Sequence, residues 1–121
     1  MKLLIVDDSS IIRSRIARIL SDSRLPQLTI VGMAKNGAEA LELFAQTQPE
    51  LVTMDLTMPE MDGVECTESM AKLNADAGIL VVSALSDKAT AIKALKKGAK
   101  GFLYKPFTDE QLVEALLEMM N

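Results

Sequence analysis

The chain has 121 residues, 49% of them hydrophobic, and 13 basic against 17 acidic side chains leave a formal charge of −4. This describes one domain over residues 1–121 with enough apolar content to close a core, and an acidic balance poorly suited to direct nucleic-acid binding. A single cysteine, Cys66, and no histidine exclude an internal disulfide, a Cys/His zinc site and histidine catalysis.

Short apolar runs alternate with longer amphipathic segments. Lys2 to Val6 reads as a buried strand ending in Asp7-Asp8. This N-terminus turns acidic too soon for a signal peptide, and no run is long enough for membrane insertion, so a cytoplasmic location is expected. Ser10 to Leu20 reads as a helix, with Ile12, Ile16, Ile19 and Leu20 on one face and Arg13, Arg15 and Arg18 on the other. A loop with Pro26 leads to a second strand over Leu28 to Ala34. Asn36-Gly37 opens a helix through Thr47, and Leu51 to Met54 is a third strand that ends at Asp55.

A loop from Leu56 to Glu60 precedes a helix from Asp62, a good N-cap, to about Leu73. Gly63 allows a tight entry beside that cap. Ile79 to Val82 forms a fourth strand, ending at Ser83. Asp87 is expected to cap a helix to Lys97, with Gly98 at its C-terminal end. Gly101 to Tyr104 is the fifth strand, followed by Lys105-Pro106-Phe107. Thr108 and Gln111 form a capping box for the last helix.

Repeated strand–helix alternation predicts an α/β domain with a parallel sheet covered on both faces. In such sheets sites form beyond the carboxyl ends of the strands. Asp7, Asp8, Asp55, Ser83 and Lys105 all fall at strand ends and are predicted to meet at one edge. Three clustered carboxylates repel unless a cation joins them, and Mg²⁺ suits an all-oxygen donor set. Asp8 and Asp55 are expected to bind it directly, with the Thr57 carbonyl, while Asp7 acts mainly through water. A carboxylate can also accept a phosphoryl group, a reaction governed by positioning and positive charge. Asp55 is the natural acceptor. Lys105 would supply the charge and Ser83 a hydrogen bond.

Asp7-Asp8, the stretch from Met54 to Gly63, Val81-Val82-Ser83-Ala84 and Lys105-Pro106-Phe107 together resemble the receiver domain of bacterial two-component response regulators, over essentially the whole chain. The resemblance is strongest to stand-alone, CheY-like chemotaxis regulators. It implies a flavodoxin-like (βα)5 fold with strand order 2-1-3-4-5. It implies Asp55 as phosphoacceptor, Asp7, Asp8, Asp55 and the Thr57 carbonyl around Mg²⁺, and Ser83 and Lys105 on the phosphoryl group. It also implies a cis Lys105–Pro106 bond and a switch formed by Ser83 and Phe102, with Thr57 and Leu85 influencing the lifetime of the acyl phosphate. Phe102 lacks the hydroxyl that many chemotaxis regulators carry there. The implied partners are a sensor histidine kinase and a state-dependent output protein such as the flagellar motor switch, since the 121 residues include no DNA-binding effector. The output surface would be the fourth helix, fifth strand and fifth helix of a monomer that catalyses only its own phosphorylation and dephosphorylation.

Two other readings compete. An Mg²⁺-dependent aspartyl-phosphate phosphatase or phosphotransferase of haloacid-dehalogenase type would need a second Asp two residues after the first, where this chain has Thr57. A non-phosphorylated adaptor would have no use for the intact Asp, Ser and Lys set. Lys88, Lys93, Lys96, Lys97 and Lys100 read as a solvated helix face. Met54 and Met70 fit the core, Met119 and Met120 a partly exposed helix end, and Cys66 an inert thiol.

Overall fold

The computed structural model describes residues 1–58, 62–84 and 86–120. Five strands and five helices alternate: β1 (Lys2–Val6), α1 (Ser10–Ile19), β2 (Thr29–Ala34), α2 (Gly37–Thr47), β3 (Leu51–Asp55), α3 (Gly63–Leu73), β4 (Gly78–Ala84), α4 (Lys88–Lys96), β5 (Gly101–Lys105) and α5 (Asp109–Met120). Every pairing is parallel, and the strand order is β2-β1-β3-β4-β5. The chain therefore adopts the flavodoxin-like fold expected of it. The order reverses between β1 and β3, and the loops after those two strands carry the acidic residues.

Strand alternation splits the core into two layers. Leu4, Val6, Val52, Met54, Ile79 and Val81 face α2, α3 and α4, where Phe44, Met70 and Ala94 meet them. Leu3, Ile5, Leu51, Leu80 and Val82 face α1 and α5, packing on Ile16, Leu112 and Leu116. Met54 and Met70 are buried as their sequence positions suggested. Each large apolar side chain buried in this way contributes about 1.5–3 kcal/mol.

Several helix starts follow local chemistry. The Asp62 side chain accepts from the Glu65 N–H at 2.7 Å. Thr108 and Gln111 bond reciprocally, at 2.8 and 3.1 Å. Asn36 caps α2, and Ser9, one residue before the predicted start of the first helix, caps α1. Asp87 departs from expectation. It precedes α4 but makes no side-chain cap bond, and its ψ of 51° lies outside the extended region an N-cap occupies. β4 and β5 also outrun their predicted ends, because Ser83 pairs with Tyr104 and Ala84 with Lys105. Polar character stops a sequence pattern, but a strand continues while a neighbour offers backbone groups.

Two glycines are required by geometry. Gly98 follows α4 with φ +128°, and a Cβ there would lie 2.5 Å from that of Ala71. Gly63 brings α3 against the end of β3: a Cβ would sit 2.5 Å from both the Asp55 carbonyl oxygen and the Leu56 Cα. Backbone cannot yield as a flexible side chain can. Gly63→Ala is therefore expected to cost about 1–3 kcal/mol of stability, measured by urea unfolding. An unchanged midpoint would show that the α3 entry can move aside.

Candidate functional site

The carboxyl edge of the sheet gathers the predicted residues. Asp7 and Asp55 are each 1% exposed, whereas Asp8 lies at the surface. One carboxylate oxygen from each of the three lies within 4.8 Å of the others. From the far edge of β5, the Lys105 ammonium reaches 3.1 Å from Asp7 Oδ2 and 3.6 Å from Asp55 Oδ1. Lys105–Pro106 is cis, as the resemblance implied.

Each buried acid is held by the loop that follows it. The Ser9 N–H donates to Asp7 Oδ1 at 2.9 Å. The N–H and the hydroxyl of Thr57 both donate to Asp55 Oδ1, each at 3.0 Å. The i to i+2 spacing is that of an Asx turn, a signal present in the sequence but not used in predicting these contacts. Thr57 was singled out for its carbonyl, yet its donors are what engage Asp55. Arg13, read only as part of a polar helix face, donates to the Asp7 carbonyl at 2.6 Å.

Two oxygens at this edge stand without partners. Asp55 Oδ2 and Ser83 Oγ are fully buried and make no hydrogen bond among the described residues. Buried polar atoms are normally satisfied, so an orphan pair on adjacent strands marks a place where a further group belongs. Hard oxygen donors, negative charge and no nitrogen or sulfur ligand fit Mg²⁺. A lysine and a hydroxyl beside them fit phosphoryl oxygens.

Burial pushes the Asp7 carboxyl above its ordinary value of 3.8; the Ser9 N–H opposes this, the Asp55 charge adds to it, and the Lys105 ammonium draws it back. Phe102 is not brought into the acidic cluster. It is 45% exposed on β5, its ring centroid 5.3 Å from that of Tyr104. Pro59, Glu60, Met61 and Leu85, which belong to the predicted motifs, lie outside the described residues. Cys66 is buried, and burial pushes its thiol up to about 12, so it is unreactive. Lys97 pairs with Glu68 at 2.9 Å. No described helix is long and apolar enough to cross a membrane.

Fold and site together define an α/β domain with an acidic, oxygen-donor pocket at its topological switch point. The family model for the response regulator receiver domain matches residues 3–117. The chain is 40% identical over 116 residues to the chemotaxis protein CheY of Listeria monocytogenes, covering 96% of this chain and 95% of that protein. It is likewise 40% identical over 115 residues to CheY of Thermotoga maritima, covering 95% and 93%. Among solved structures, the CheX–CheY–BeF3–Mg²⁺ complex from Borrelia burgdorferi superposes with a TM-score of 0.92 at 28% identity, over 100% of this chain and 90% of that one. The chain belongs to the response regulator receiver family of two-component signalling, whose members bind Mg²⁺ at an acidic pocket of this kind.

The raised Asp7 value means that the folded chain holds this proton more tightly than the unfolded chain. Its contribution to stability is complete below the unfolded value near 3.8 and is lost as pH rises through the folded one. Asp7→Asn should therefore raise the melting temperature of the metal-free chain at neutral pH. It should give no gain below the unfolded value. A variant less stable than wild type at neutral pH would mean that the lost Lys105 ion pair outweighs the relieved desolvation.

Proposed function

We propose that this chain accepts a phosphoryl group on Asp55 from a sensor histidine kinase, in an Mg²⁺-dependent reaction, and thereby switches a partner-binding surface. The observation that carries this reading is the unpartnered, buried carboxylate oxygen of Asp55, on a side chain whose other oxygen is already held by Thr57 and approached by Lys105. A new bond forms between an Asp55 oxygen and phosphorus. The P–N bond of the donor phosphohistidine breaks, and its electron pair leaves with the imidazole. Asp7, Asp8, Asp55 and the Thr57 carbonyl would hold the ion, whose positive charge offsets that of the phosphoryl oxygens. Lys105 adds a second positive charge, and the Ser83 hydroxyl, free of other partners, donates to a third oxygen. These are the chain's own steps, so it is not an enzyme acting on a separate substrate.

The output then follows from Ser83 and Phe102. Drawing Ser83 toward a phosphoryl oxygen moves the end of β4, and the exposed ring of Phe102 on the neighbouring strand can turn inward. This biases a surface made of α4, β5 and α5 between two states. Similarity to CheY proteins supports a role in chemotaxis or motility, with a state-dependent partner comparable to CheX or a flagellar motor switch. The enzyme reading gains nothing from the site, because Thr57, in the place of a second acid, commits its hydroxyl to Asp55.

Incubation with Mg²⁺ and acetyl phosphate should add one phosphoryl group by intact mass, and Asp55→Asn should abolish it. An adduct of unchanged yield in that variant would defeat the assignment. Lys105→Ala should keep Mg²⁺ binding but lose the accompanying change in Tyr104 fluorescence.

A further inference from the structure

We propose that Arg15 is a positioning residue for Lys105: it straps the β5–α5 junction to α1 and so sets where the Lys105 ammonium lies. The inference rests on the phosphoacceptor reading of the site. Three contacts converge on this one guanidinium. It donates to the carbonyl of Phe107, lies 4.7 Å from the centroid of the Phe107 ring, and pairs with Asp109 Oδ1 at 3.2 Å. All are with residues two to four places beyond Lys105.

An exposed ion pair alone would contribute little, and the Arg18–Asp109 contact at 3.8 Å is of that kind. Arg15 differs because its planar fork serves a carbonyl, a carboxylate and an aromatic face at once, which an ammonium cannot do. Phe107 is itself buried, at 3% exposure, so the strap grips a fixed part of the junction. The same helix sends Arg13 to the carbonyl of Asp7. Helix α1 thus holds both backbone segments that carry the 3.1 Å pair between Lys105 and Asp7. Lysine has a long, freely rotating stem, and the placement of its ammonium depends on the backbone from which it springs. Displacement of a reacting group by about 1 Å can cost on the order of a hundredfold in rate.

The test measures phosphorylation by acetyl phosphate at saturating donor and Mg²⁺, together with the ¹³Cε resonance of Lys105 in the absence of donor. Arg15→Ala should lower the rate about tenfold and shift the Lys105 resonance. Arg15→Lys, which can still meet the carbonyl or Asp109, should recover part of both. In a Lys105→Ala background, Arg15→Ala should cause no further loss in the residual rate. Should Arg15→Ala fail to fold, Arg15→Met keeps much of the side-chain volume without the guanidinium and carries the same expectations. An unmoved Lys105 resonance, or an equal loss of rate in both backgrounds, would overturn the proposal while leaving Asp55 as acceptor. A wild-type chain that takes up no phosphoryl group would overturn the reading beneath it, and the strap's role with it.

Discussion

Everything at the functional edge depends on mutual repulsion among carboxylates that the fold forces together. Asp7 and Asp55 leave adjacent strands at the same level and are both removed from water. Burying one such charge is costly, and burying two side by side more so. The chain answers with two kinds of compensation. Backbone N–H groups of Ser9 and Thr57 take one oxygen of each acid. Lys105 crosses the sheet edge to approach both. On the proposed reading, Mg²⁺ would offset the negative charge that remains.

That arrangement makes the site unsatisfied by design. Among the described residues Asp55 Oδ2 and Ser83 Oγ have no partners, although the backbone around them is well paired. Asp55 and Val82 are in register, and the Leu56 N–H donates to the Val82 carbonyl at 3.1 Å. The proposed acceptor Asp55 and the Ser83 hydroxyl thus sit on a rigid ladder, which suits a reaction limited by positioning rather than by bond activation. Close contact of Gly63 with the Asp55 carbonyl extends the same rigidity to α3.

Helix α1 deserves a larger part than its amphipathic pattern suggested. Its apolar face packs on Leu3 and Ile5 as expected. Its arginines, read only as the polar face opposite, divide their work. Arg13 and Arg15 turn back to backbone carbonyls near the site, while Arg18 remains at the surface. A 3.6-residue periodicity separates apolar from polar; it does not say which polar residue finds a carbonyl across the molecule.

Much was legible in the primary structure because it depends on local physics. Apolar runs of strand length and caps such as Asp62 and Thr108 with Gln111 require only their neighbours in sequence; Gly63 and Gly98 were legible as helix-end signals, although the close contacts that demand them are tertiary. Asp7, Asp8, Asp55, Ser83 and Lys105 were readable as strand-end residues, and the parallel topology then carries them to one edge. The extra length of β4 and β5 was not readable, since backbone pairing with another strand overrode side-chain preference, and neither was the missing cap at Asp87. Nor was the lack of hydrogen-bond partners, among the described residues, at Asp55 Oδ2 and Ser83 Oγ, or the reach of Arg15 to Phe107, 92 residues away; the Thr57 donors on Asp55 follow an Asx-turn spacing that the sequence carries. Sequence by itself determined which chemical groups stand at the strand ends, because those positions follow from hydrophobic patterning. Only the tertiary structure decided which of their atoms are already bonded and which are left free, because hydrogen-bond partners distant in the chain are chosen by packing.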